Sequence, residues 1–115
     1  LDVGCGSGVL SIAAATLGFS PVYAVDVDAV AREITRENAA ANGVPVSIVD
    51  GFRPADVAVA NIALDVVESL APQIGARTLI ASGYLERDAL RAEGWTAVDR
   101  HVLDGWAADL LEFRP

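Results

Sequence analysis

Three alternating glycines, Gly4, Gly6 and Gly8, follow the short segment Leu1-Asp2-Val3 and precede an apolar run that begins at about Val9. This reads as a strand that ends in a glycine loop and feeds a helix. Such a loop lets backbone approach a ligand with no side chain in between. It also lies at the carboxyl end of a strand, where open α/β sheets bind their ligands. The dinucleotide pattern Gly-x-Gly-x-x-Gly does not fit: counted from Gly4 the third glycine position holds Val9, and counted from Gly6 it holds Ser11. The observed spacing is Asp-x-Gly-x-Gly-x-Gly, with Asp2 ahead of the glycines. A second acid, Asp26, closes the apolar stretch Val22-Tyr23-Ala24-Val25. A carboxylate at the end of a second strand accepts both hydroxyls of a ribose at once. Asp28 then serves as the cap of the next helix.

Alternating strands and helices have to position these residues. Apolar stretches at 22–25, 46–49, 56–60 and 78–81 read as strands. Residues 29–42 read as a helix, with Val30, Ile34 and Ala41 at helical spacing and Gly43 as its left-handed stop. Ala63, Val66, Val67, Leu70 and Ile74 mark another helix that ends near 72–75, and 86–93 a short one. The tail differs: 95–103 and 106–113 read as strands joined by Asp104-Gly105, a strong hairpin signal. Five strand–helix units and a hairpin predict an α/β domain, with a mostly parallel sheet and a C-terminal antiparallel hairpin strand. The first strand has three residues here, which predicts a loosely ordered amino end.

The acid-preceded glycine loop, the second acid and the alternating topology resemble the class I S-adenosylmethionine-dependent methyltransferases, whose fold is Rossmann-like. That resemblance implies S-adenosyl-L-methionine as cofactor, with its amino-acid end at Gly4, Cys5, Gly6 and Gly8. The helix-start amides would then complement its carboxylate. Asp2 would orient its amino group, directly or through water. Asp26, with its neighbour Val27, would take the ribose. Asp50 and Gly51 follow the third strand and are placed for the adenine edge, with Phe52 beside them for the ring face. An ordinary Asp-Gly turn accounts for the same pair equally well.

In this class the end of the fourth strand faces the methyl group, and there the chain carries Asn61-Ile62-Ala63-Leu64. The Asn-Pro-Pro-aromatic signature of many amide- and amine-directed members is absent, which counts against adenine or glutamine amide as acceptor. Ala60-Asn61-Ile62, Leu70-Ala71-Pro72, Ser82-Gly83-Tyr84-Leu85 and Gly105-Trp106-Ala107 are similar to the bacterial methyltransferase family that acts on large-subunit ribosomal protein eleven. So is Glu37-Asn38-Ala39-Ala40-Ala41-Asn42-Gly43. The resemblance covers essentially the whole chain. It implies transfer of methyl groups to protein amines, lysine side chains or a terminal amine, with Asn61 as the catalytic residue that accepts the amine hydrogens and aims the lone pair. A different class I methyltransferase, acting on a small molecule or RNA, and a non-catalytic nucleotide-binding module are the rival readings. Because the chain starts in mid-strand without Met, residues 1–115 are expected to be an amino-terminally truncated methyltransferase domain lacking an upstream substrate-recognition domain, and so to bind cofactor weakly.

The bulk numbers agree with a globular domain, and its acidic balance fits a small-molecule or basic-protein partner, or solubility alone, equally well. Hydrophobic residues make up 53% of the 115, enough for a real core. The formal charge of −8, with no Lys, argues against direct nucleic-acid binding and favours small molecules or a basic protein partner. No apolar run approaches the ~20 residues that span a bilayer. The single Cys5 suits a reducing, cytoplasmic setting, and no His/Cys cluster has metal-ligand spacing. Cys5 reads as a small residue between glycines, and His101 as structural or exposed. Trp95 and Trp106 read as hairpin packing residues, whereas Tyr84 is a candidate substrate contact near the acceptor entrance.

Overall fold

The computed structural model describes residues 1–115 and divides them into two compact units, Leu1–Arg53 and Pro54–Pro115. In the first, β1 (Asp2–Val3), β2 (Tyr23–Val25) and β3 (Ser47–Ile48) pair in parallel in the order β3-β2-β1. Parallel neighbours need long crossovers, and α1 (Val9–Thr16) and α2 (Ala29–Ala41) supply them. Asp2 and Val3 both pair with β2, and Leu1, Asp2 and Val3 are buried, so the amino end is not the loose segment expected from its length. As predicted, Asp28 caps α2: its side chain accepts from the Val30 amide at 2.9 Å, and Gly43 follows the helix at φ +64°. The apolar spacing on α2 marks the wrong face, however. Val30, Ile34 and Ala41 are exposed, and the buried residues are Thr35 and Ala39. The reason is polar: this face of α2 holds the glycine loop by hydrogen bonds, described below, and apolar periodicity is blind to that.

The second unit contains β4 (Ala55–Asn61), α3 (Leu64–Leu70), a turn of 3-10 helix at Ala71–Gln73, β5 (Ala76–Leu85), β6 (Trp95–Leu103) and β7 (Trp106–Phe113). Its strands run in the order β4-β5-β7-β6; β4 and β5 are parallel, and β7 is antiparallel to both β5 and β6. Small and branched side chains fill the core, with Ala58, Ala60, Val67, Leu79 and Ala81 wholly buried. The hairpin is as the sequence predicts. Asp104 and Gly105 both have positive φ, 51° and 81°, the backbone that matches strand twist in a two-residue loop.

Three expectations fail here. Helices follow only β1, β2 and β4, so there are three strand–helix units and not five. Residues 86–93 form no helix. The carbonyls of Glu86 and Asp88 instead accept from the Arg100 guanidinium, both at 2.8 Å, and the Arg91 amide donates to Glu68. Finally, the two tryptophans part company. Trp95 is buried, meets Phe113 edge-on at 5.3 Å and donates its indole N–H to the Ala71 carbonyl. Trp106 is 55% exposed, because strand alternation buries Ala107, Asp109 and Leu111 and turns Trp106 to the other face.

Candidate functional site

The glycine loop is a piece of backbone held open by other parts of its own unit. Gly4, Gly6 and Gly8 all have positive φ, 75°, 55° and 85°, where L side chains are strained. The amides of Gly4 and Cys5 both donate to the Val25 carbonyl, which ties the loop to the end of β2. The loop carbonyls are taken from α2: Thr35 Oγ1 donates to Gly6 O at 2.9 Å and Asn38 Nδ2 to Ser7 O at 2.8 Å. Gly8 is also a packing requirement, since a Cβ there would sit 2.8 Å from Thr35 Cγ2. At Gly6 a Cβ would meet nothing within 4 Å and would project into open space beside the loop.

Asp26 is the second support. Its Oδ2 accepts from the Gly6 amide at 3.0 Å and its Oδ1 from the Asp28 amide at 2.9 Å. Each carboxylate oxygen has a second lone pair, so acceptor capacity for two further hydroxyls remains. Arg32 donates to the Asp26 carbonyl at 2.7 Å and pins the turn. Val27, next in sequence, is fully exposed, and so is Asp50 apart from a 3.9 Å approach by Arg53. Gly51 and Phe52 are half-buried, and the Gly51 carbonyl accepts from Arg53.

Asp2 has an immediate task that the sequence reading missed. Gly8 is the N-cap of α1 and has no side chain with which to cap. Asp2 supplies the missing acceptor from β1: its Oδ2 takes the Ser11 amide at 3.1 Å and the Ser11 hydroxyl at 2.6 Å. It is only 2% exposed, and burial pushes its carboxyl above the ordinary range, against the pull of the Ser11 hydrogen bonds. The Asp2 carboxylate thus holds α1 against the loop. Cys5 behaves as the small residue expected. It is buried, its Sγ lies 3.2 Å from Thr35 Oγ1, and burial raises its thiol pKa, the reverse of what activates a nucleophile.

The donor set of this unit suits a nucleoside carrying an amino-acid group. The Val9 and Leu10 amides open α1 without intrahelical acceptors, which suits a carboxylate. Gly6 leaves room for close approach, and Asp26 retains lone pairs for a ribose.

In the second unit Asn61 ends β4 with its side chain exposed, and Ser82 Oγ donates to Asn61 Oδ1 at 3.3 Å. Gly83 lies against this pair at φ +99°; a Cβ there would be 2.7 Å from the Ile62 carbonyl. It coincides with the register shift of β5 on β7 between Ser82 and Tyr84. A cleft of about 690 Å³ opens beside Asn61, and Ile62, Ser82, His101, Leu103 and Trp106 are among its lining residues. His101 and Trp106 were set aside on sequence grounds, yet they share this cleft with Asn61. Tyr84, the candidate substrate contact, does not. It is 4% exposed and its hydroxyl donates to Asp109 Oδ2 at 2.7 Å, while Arg100 clamps the same carboxylate at 2.6 and 2.8 Å. The guanidinium holds the Asp109 carboxyl below the ordinary range, and burial with that carboxylate raises the Tyr84 phenol.

Known proteins place this geometry. A family model described as ribosomal protein L11 methyltransferase (PrmA) matches residues 1–110. A ribosomal protein L11 methyltransferase of Pelotomaculum thermopropionicum is 40% identical over 126 aligned positions, which take in 93% of this chain and 41% of that protein. The chain thus spans about two fifths of the length of that curated relative. The crystal structure of a ribosomal protein L11 methylase from Lactobacillus delbrueckii subsp. bulgaricus superposes with a TM-score of 0.87 at 28% identity, over 99% of this chain and 69% of that one. An RNA methyltransferase from Salinibacter ruber, crystallised with S-adenosyl-L-homocysteine, shares the fold with a TM-score of 0.79 at 18% identity, over 98% of this chain and 78% of its own. The fold is the Rossmann-like class I methyltransferase fold, and the chain belongs to the ribosomal protein L11 methyltransferase (PrmA) family.

Proposed function

We propose that residues 1–115 are the S-adenosyl-L-methionine-binding domain of an enzyme that methylates protein amines of ribosomal protein L11 in the cytoplasm. The observation that carries this reading is the glycine loop whose Gly6 amide is held by Asp26, in a chain of this family. Gly4, Cys5, Gly6 and Gly8 form the cradle for the amino-acid end of the cofactor, and the first amides of α1 take its carboxylate. Asp26 takes the ribose hydroxyls with the lone pairs that Gly6 and Asp28 leave free. Asp2 serves the cofactor indirectly, by capping α1. Val27, Asp50 and Gly51 border the nucleoside end, where the exposed Val27 side chain offers apolar cover.

When bound, the cofactor supplies an electrophilic sulfonium methyl group. The protein has to deliver a neutral amine to it. A free lysine has a pKa of ~10.4, so deprotonation at neutral pH costs about 4–5 kcal/mol. The largely apolar cleft beside Asn61 lowers that cost by disfavouring the charged form. Asn61 Oδ1 accepts an amine hydrogen and so directs the lone pair, and Ser82 fixes the amide orientation. A formal charge of −8 favours a basic protein as the substrate over RNA.

Calorimetry with S-adenosyl-L-methionine and with NAD tests the cofactor assignment. The sulfonium compound is expected to bind more tightly, and tighter NAD binding would refute it. Radiolabelled methyl transfer to purified L11, with ribosomal RNA assayed in parallel, tests the acceptor. Label on RNA alone would replace the amine with a nucleic-acid substrate.

A further inference from the structure

We propose that His101 takes up, through water, the proton that an acceptor ammonium must shed in the cleft beside Asn61. This rests on reading the Asn61 end of β4 as the acceptor site. The register of the strands carries the placement. Asn61 pairs with Ser82, Ser82 with Ala108, and Ala108 with His101, so the four residues form one row across β4, β5, β7 and β6. Directly paired residues point to the same face of a sheet. Three interstrand steps make the row about 14–15 Å long. The two long side chains stand at its ends, and Ala108 leaves a floor between them on which water and an aliphatic chain both fit.

The chemistry of the lining supports the same assignment. Among the residues that line the cleft, His101 is the one titratable side chain. Asn61 and Ser82 accept and donate hydrogen bonds but do not hold a proton at neutral pH. On its own strand His101 faces Asp99, whose Oδ2 lies 3.7 Å from Nε2. The neighbouring strands present Ala108, Ser82 and Asn61 in this row, none of them charged. Arg100 and Asp109 bond to each other. The His101 side chain is 87% exposed, so a proton gained from the cleft passes on to solvent.

The proton balance is simple. One N–H proton of the ammonium passes through water to an imidazole nitrogen, giving imidazolium and a neutral amine. The amine lone pair then forms the new N–C bond, while the methyl–sulfur bond breaks and its electron pair stays on sulfur. The product is a methylated ammonium, which sheds a proton by the same route before a further transfer.

The chain has one histidine, so its ring resonances are unambiguous in NMR. A basic peptide with a central lysine is expected to shift the titration of His101, and the same peptide with norleucine in place of lysine to leave it unmoved. In steady-state methyl transfer to L11, kcat for the parent chain is expected to fall towards acid pH. His101→Gln should lower kcat at pH 7 roughly fivefold to tenfold and abolish that acidic limb, and added imidazole should restore it. Because His101 is exposed, His101→Gln is expected to fold normally, which thermal unfolding checks. Superimposable pH profiles in an active chain, or equal responses to the two peptides, would overturn the proposal and leave the L11 assignment standing. A parent chain that methylates no amine removes the assignment, and this proposal with it.

Discussion

The two units build their sites from different material. In Leu1–Arg53 the proposed cofactor cradle is mostly backbone, held in place by the side chains of Thr35, Asn38 and Asp26, of which Asp26 alone is also proposed to meet the ligand. In Pro54–Pro115 the proposed ligand-facing groups are side chains, and strand register aligns them in a row from Asn61 to His101. A backbone site tolerates almost no added atoms and needs little chemistry from its side chains. A side-chain row tolerates exchange at its members but depends on the register that aligns them. Mutations should therefore hurt the two units in different ways.

The sharpest contrast lies in one glycine from each. Gly83→Ala puts a Cβ 2.7 Å from the Ile62 carbonyl at φ +99°, so both the backbone angle and a backbone neighbour oppose it. Gly8→Ala puts a Cβ 2.8 Å from the Thr35 methyl at φ +85°. Left-handed backbone costs an L residue about 1–2 kcal/mol, and overpacking about 1–3 kcal/mol more. Denaturant unfolding should show a loss of about 3–5 kcal/mol for Gly83→Ala and about 2–4 kcal/mol for Gly8→Ala. The second loss has a remedy that the first lacks: Thr35→Ser, which deletes the clashing methyl and keeps the hydroxyl, should recover part of it. Full recovery would mean that the Gly8 backbone carries no strain, and no recovery that the clash is not with the side chain.

This difference also sets what could be read in advance. The loop was legible because its information is local: an acid and three glycines within seven residues, and a second acid at the next strand end. Asp28 as cap and Asp104-Gly105 as turn were legible for the same reason. Thr35 and Asn38 were not, because their acceptors are loop carbonyls 29 and 31 residues away and their types carry no apolar period. His101 is exposed, as the sequence suggests, but its place in a row with Asn61 follows from the pairing of four strands and has no local signal, and Trp106 is exposed where packing is expected because strand alternation turns it away from the core. The false helix at 86–93 has a similar origin. Its local propensity is genuine, but Arg100 claims the carbonyls a helix would use.

Each unit also buries one carboxylate, and their pKa values move in opposite directions. Asp109 is held low by Arg100, so its contribution is fully present above the ordinary carboxylate value of ~3.9 and is lost as pH falls through its folded value. Asp109→Asn should cost about 2 kcal/mol at pH 7, below the usual penalty for breaking a buried pair because Arg100 keeps access to water, and should flatten the acid limb of stability. Asp2 is raised by burial, so its ionisation weakens the fold as pH climbs from the ordinary value to the folded one, and the deficit persists above. Asp2→Asn keeps an oxygen for Ser11 and should change stability at pH 7 by about 1 kcal/mol or less, in the stabilising direction. Parallel pH profiles for the two variants would show that the two units do not differ in this respect.

Asp26 gives a small change in stability and the most specific one in binding. Asparagine is nearly isosteric but has one acceptor oxygen, so it serves either the Gly6 amide or the Asp28 amide and not both. Loss of one charge-assisted hydrogen bond costs about 1.5–3 kcal/mol in the site. Half-exposed amides recover most of that from water, so unfolding should shift by about 1 kcal/mol or less. The cofactor has no such recourse, because a ribose diol needs two acceptors and an amide presents a donor at one of them. Binding of S-adenosyl-L-methionine should weaken about tenfold or more, close to 1.4 kcal/mol, while a ligand lacking the ribose hydroxyls should bind parent and variant alike. Equal weakening of both ligands would assign the loss to the disturbed glycine loop, making Asp26 a support for the backbone and nothing more.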